Sequence, residues 1–226
     1  MDRRQHAKAQ EELVRLATAR LKVFWDSLDL TDPNGCREAL AGFWPFLIEQ
    51  YGEVAATLAA DRFEELTGMR ATMARAVDEE RALSRMNWAI RPLFNGEGDA
   101  YGLLALLLDE LVKQPGRSTM IASARDNRIR YARVPVGDTC AFCLMLASRG
   151  AVYVSRSSAG DRGSRFHGKC DCAVEPVRDD DDLDQLKRQG YDPDELYDKY
   201  LTAREKAGSG STSTVLSELR EQEGTN

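Results

Sequence analysis

Apolar residues recur at helical spacing through the first half of the chain. Leu13, Leu16, Leu21, Phe24 and Leu28 fall on one stripe with Arg, Lys and Glu between them, the pattern of a helix that buries one face. Thr31-Asp32-Pro33-Asn34-Gly35 then breaks the stripe. Thr31 or Asp32 is placed to cap a second helix, with Pro33 at its first position, where a missing N–H is tolerated. Leu47, Tyr51, Val54 and Leu58 form the next stripe. Pro45 predicts a kink or a new start within it, and Gly68 an end. Residues 71–88 favour helix, and Pro92 and Asn95-Gly96-Glu97-Gly98 break the chain again. Residues 101–112 predict an apolar helix ended by Pro115-Gly116, and residues 117–127 one more short helix.

The period changes at Asn127. From Arg128 to Pro135 charged and apolar residues alternate, as in a strand with one exposed face. Residues 151–154 predict a second short strand, residues 155–165 a polar Ser/Gly/Arg loop, and Ala173-Val174-Glu175-Pro176-Val177 a last strand. Four aspartates at 179–182 open an acidic stretch, with a short polar helix at 193–206. Residues 207–213 read as a flexible linker by composition, and residues 215–223 as an amphipathic turn or two. The fold class predicted is mostly α. A helical body (1–127) is followed by a small α+β zinc-binding module (128–178) and a flexible, partly disordered acidic tail (179–226).

Hydrophobic residues make up 42% of the 226, enough to bury a core. The net charge of -6 argues against a general duplex-DNA binder, which needs clustered Lys and Arg. The most apolar stretch, residues 103–108, is too short to span a bilayer. The polar start MDRRQHAKAQ has no apolar segment after it, so no secretory signal is expected. Clustered cysteines in a reducing compartment then point to metal or catalysis rather than to disulfides.

The cysteines carry the chemistry. Cys140-x2-Cys143 is followed, after residues 144–166, by His167-x2-Cys170-x-Cys172. Zinc takes four sulfur or nitrogen ligands in a tetrahedron, and pairs at this separation on a tight turn face one ion. Five candidates compete for four positions, and the spacing does not choose among them. Cys170 and Cys172 flank one residue and are expected to point differently, leaving one of them spare. Cys36 reads as a small buried hydrophobe, and His6 as a solvated residue. With so many ligands the ion is expected to be enclosed and structural. The His-x-Glu and Pro-Cys-x-x-Cys order of zinc deaminases is reversed here, and no His-Glu-x-x-His occurs. A thiol protease with His167 as base is the weaker alternative. Arg149, Arg156, Arg162, Arg165 and Lys169 make the most basic stretch, read as a solvated loop before a nucleic-acid contact.

Residues 133–153, RVPVGDTCAFCLMLASRGAVY, and residues 166–177, FHGKCDCAVEPV, resemble the C-terminal signature of MuF-like minor head proteins of tailed bacteriophages, the actinobacteriophage type above all. The resemblance is specific over residues 117–177. It implies a structural protein inside the phage head, present in the host cytoplasm during assembly. Its implied partners are the portal or the major capsid protein, with packaged DNA as a further contact and no membrane. It implies a part in capsid assembly and in genome packaging or ejection. The family's motif positions fall on Cys140, Cys143, His167, Cys170 and Cys172 as metal ligands. Some relatives are labelled maturation proteases, so a capsid-assembly hydrolase and a DNA-binding head protein are the alternatives to a non-enzymatic role.

Overall fold

The computed structural model describes residues 1–75, 77–137, 139–153, 166, 170, 172–208 and 210–225. The chain forms two compact units. One comprises Met1–Arg62, Ala71–Thr119 and Phe166–Lys169; the other comprises Phe63–Arg70, Met120–Arg165 and Cys170–Asn226. Among the described residues no helix is long and apolar enough to cross a membrane.

The first unit is helical. Helix α1 (Arg3–Asp26) starts on a reciprocal cap: Asp2 accepts from the Gln5 N–H, and the Gln5 side chain accepts from the Asp2 N–H. Helix α2 (Pro33–Thr67) begins at Pro33 and runs through Pro45 without a break. Helices α3 (Glu79–Ala89) and α4 (Pro92–Asn95) are short. Helix α5 (Ala100–Asp126) passes through Pro115, so the stop expected there does not occur, and the separate helix expected at 117–127 is its continuation. Packing explains why. The Pro115 ring lies where a Cβ on Gly52 would approach to 3.0 Å, and Gly116 lets the Ala55 carbonyl of α2 come within 2.9 Å of where its own Cβ would be. The core gathers Leu21, Leu40, Trp44, Leu47, Met86, Leu104 and Leu108, all buried, and Trp44 donates its indole N–H to the Ala82 carbonyl at 3.2 Å.

The helix expected over 71–88 begins only at Glu79. Asp78 caps it by accepting from the Arg81 N–H, and Glu79 and Glu80 fill its first turn. Upstream, the Ala74 N–H donates to the Thr119 hydroxyl at 3.0 Å, a tertiary bond that competes with helix. His6, expected in solvent, is only partly exposed, and its Nδ1 is buried with no hydrogen-bond partner among the described residues.

The second unit is built on a two-stranded antiparallel sheet, β1 (Arg130–Val134) with β2 (Ala173–Val177), in the register Arg133↔Val174 and Ala132↔Glu175. Successive strand residues face opposite sides. Ala132, Val134 and Val177 pack with Ala147, Leu186 and Tyr191, which leaves Tyr131, Arg133 and Val174 on the other face. The second strand expected at 151–154 reduces to a single bridge, Tyr131↔Tyr153, and Val154 and the polar loop at 155–165 lie outside the described residues. Helix α6 (Ala141–Ala147) follows Cys140.

The stretch expected as a flexible acidic tail with a polar helix at 193–206 and an amphipathic turn or two at 215–223 forms three helices: α7 (Asp180–Arg188), α8 (Pro193–Ala207) and α9 (Thr212–Glu223). The aspartate run suits a helix start. Asp179 caps α7, Asp180, Asp181 and Asp182 occupy its first turn, and Lys187 and Arg188 its last, each charge matched to the helix dipole. Gly208 ends α8 in the left-handed conformation. Val215 and Leu219 of α9 bury against Ala203 and Ala141, and this burial orders what composition alone presents as a linker.

Candidate metal centre

Three of the five predicted ligands come together. The sulfurs of Cys143, Cys170 and Cys172 all lie within 4.8 Å of one another, and the three residues are 1%, 2% and 2% exposed. The Cys143 and Cys170 sulfurs are 3.4 Å apart, and all five cysteines are free thiols. Cys140 is half-buried and caps α6; its carbonyl accepts from the Leu144 N–H at 3.0 Å. Its thiol reaches that of Cys143 but is not one of the three mutually close sulfurs. His167 lies outside the described residues, as do Arg156, Arg162, Arg165 and Lys169 of the basic stretch; Arg149 is exposed.

Local structure explains the convergence. Cys143 sits in the first turn of α6. The end of that helix is held by two buried tyrosines: Tyr153 donates its hydroxyl to the Leu146 carbonyl at 2.9 Å, and Tyr191 donates to the Ala147 carbonyl at 2.8 Å. Cys172 directly precedes β2. The expectation that Cys170 and Cys172 diverge is corrected: both sulfurs lie within 4.8 Å of that of Cys143.

Mutual hydrogen bonding with Cys140, Cys170 and Cys172, together with burial, pushes the Cys143 thiol far above its ordinary value. The Cys172 thiol is pushed up to about 12: the hydrogen bond with Cys143 favours its thiolate, and the one with Cys170 and burial outweigh it. Without a cation these groups are neutral thiols. A coordinating metal reverses this, because it binds thiolate and expels the proton. Two thiolates on one tetrahedral zinc at 2.3 Å stand about 3.8 Å apart. The sulfur spacing and the all-sulfur donor set therefore fit a soft, tetrahedral ion. The three cysteines lie close enough to hold a metal.

Arg133 is the residue that sequence reasoning missed. Strict alternation sets its side chain on the face of Ile129 and Tyr131, opposite Arg128 and Arg130, and it is 0% exposed. Its Nη2 donates toward Cys143 Sγ at 3.6 Å and Cys170 Sγ at 3.8 Å. Burial opposes its charge, and the Cys172, Cys143 and Cys170 sulfurs more than offset that opposition. The signal for it is its shared face with Ile129 and Tyr131, away from Ala132 and Val134.

Comparison with known proteins gives one family. No curated protein and no solved structure matches the chain significantly. The family model described as VG15 protein matches residues 1–203, which takes in the first unit, the cysteine cluster and the second unit as far as Ala203. The chain belongs to the VG15 protein family, a family of phage proteins.

Proposed function

We propose that this protein is a structural minor component of a tailed-phage head. In this reading it associates with the portal or the major capsid protein, takes part in capsid assembly and in genome packaging or ejection, and is stapled by zinc rather than catalytic. The phage family supports the setting. The likeness of residues 133–153 and 166–177 to the MuF-like signature supports the place in the head. The observation that carries the structural role is the burial of the sulfur cluster. Catalytic zinc keeps an open position for water, whereas enclosed sulfur sites stabilise a fold. Cys143, Cys170 and Cys172, with Cys140 or His167 as the fourth ligand, would hold the ion, which would supply folding free energy to the second unit.

The test is quantitative mass spectrometry of purified particles, with wild-type protein and with Cys143→Ser. A few intact copies per particle, lost in the variant, is the expected result. Absence from particles, with coat precursors left uncleaved when the gene is deleted, would overturn the reading in favour of an assembly enzyme.

A further inference from the structure

Helix α3 turns Ala82, Met86 and Ala89 into the core of the first unit. Glu80, Leu83, Ser84, Asn87, Trp88 and Arg91 line a shallow groove of about 660 Å³ beside it. Their spacing is i, i+3, i+4, i+7, i+8 and i+11, so they form one stripe along the helix, and Arg91 keeps the helical backbone just past its end. Leu83 is half-buried and the other five are exposed. Trp88, 52% exposed, is the largest apolar surface on the stripe, and covering it would be the main gain open to this face. The charges stand at the two ends. Arg85, on the flank, is paired with Glu110, whereas Glu80 and Arg91 have no ion-pair partner among the described residues.

The stripe is complementary to its own reverse. Laid antiparallel on a second copy, Glu80 meets Arg91, Leu83 meets Trp88 and Ser84 meets Asn87, and a two-fold axis between Arg85 and Met86 repeats each pair. Opposite charges face each other, the indole covers the leucine, and a hydroxyl meets an amide. A parallel arrangement would instead set Glu80 against Glu80 and Arg91 against Arg91, which like-charge repulsion disfavours. We infer that this face of α3 is an interface between two copies of the chain, packed antiparallel, with Leu83 and Trp88 as its apolar middle and the Glu80–Arg91 pairs as its ends. The inference goes beyond the role in the head and is independent of the metal. Two short helices make a small interface, so the dimer forms and dissociates with concentration.

The experiment is sedimentation of the full wild-type chain over a dilution series, with tryptophan emission read on the same samples. A monomer–dimer equilibrium is expected. Emission should move to shorter wavelength as the dimer forms, because Trp88 is the indole open to water while Trp25 and Trp44 are already in the core. Glu80→Arg sets arginine against arginine, and Arg91→Glu sets glutamate against glutamate. Each should weaken the dimer roughly 10- to 100-fold. Mixed together, the two variants should pair with each other near wild-type strength, since every facing pair of charges is then opposite in sign. A wild-type chain that stays monomeric throughout would overturn the inference. So would a dimer whose formation leaves the emission maximum unmoved, single reversals that leave the dimer undiminished, or a mixture no stronger than either variant alone. Should a variant fail to fold, the wild-type sedimentation and emission decide the matter.

Discussion

His6 sits where a proton is unwelcome. Burial first, then Arg62 and the N-terminal amine, lower its pKa from 6.5 to about 4. Between those values the folded chain binds fewer protons than the unfolded chain, so the contribution of His6 is intact above pH 6.5 and is lost as pH falls toward 4. The loss amounts to at most about 3 kcal/mol. We expect the His6 imidazole to titrate near pH 4 by NMR, and His6→Gln to flatten the stability curve across that window. A midpoint near 6.5 would contradict the burial. The cysteines divide in the same residue-by-residue way. Cys143→Ser removes one of three converging sulfurs and should leave a second unit that melts alike with and without chelator. Cys36, whose thiol donates to the Asp29 carbonyl at 3.2 Å, should tolerate serine at a cost of about 1 kcal/mol; thermal melts of both variants distinguish the two environments. The cysteine cluster was legible because ligand spacing is written in the chain. Arg133 was legible only by its shared face with Ile129 and Tyr131, and His6 was not, because a polar residue on an opening helix looks solvated until the fold covers it.

Helices α2 and α5 owe their paths to small residues. A Cβ on Gly116 would meet the Ala55 carbonyl oxygen at 2.9 Å and Gln10 Nε2 at 3.1 Å, and backbone cannot swing aside as a flexible side chain can. Gly116→Ala should therefore destabilise the first unit by about 1–3 kcal/mol, despite the gain in helix propensity of roughly 1 kcal/mol. Glycine exposed at Gly42, where a Cβ meets nothing within 4 Å, should instead gain from alanine; chemical denaturation of both variants reads the difference. In the second unit, Tyr153→Phe and Tyr191→Phe each remove a buried hydroxyl from the carbonyl end of α6, at an expected cost of about 1 kcal/mol apiece. The same logic explains which elements could be read in advance. Strands β1 and β2 follow from local alternation. The run through Pro115 does not, since only the facing Gly52 shows that the ring fits. Helix α9 was legible only as an amphipathic turn or two at 215–223, because its full length rests on Val215 and Leu219 finding Ala203 and Ala141.

At the scale of the molecule, the indoles and the sulfur cluster report on different units. All three tryptophans, Trp25, Trp44 and Trp88, belong to the first unit, where Trp25 and Trp44 are core residues and Trp88 is 52% exposed. Cys143, Cys170 and Cys172 belong to the second. The first unit has an apolar core of its own. Among the described residues of the second, apolar side chains gather in small clusters, such as those around Ala132, Val177 and Tyr191 and around Ala203 and Val215, and small cores depend on a metal or an equivalent cross-link. Removing the ion with a chelator should therefore lower far-UV ellipticity as the second unit loses structure, while tryptophan emission keeps its native maximum. Readdition of zinc should restore the ellipticity. An emission shift in step with the ellipticity would mean that the two units unfold as one, so that the metal holds the whole chain. A chain whose ellipticity ignores the chelator would remove the stapling role, because an enclosed ion that contributes nothing to folding has no structural part to play.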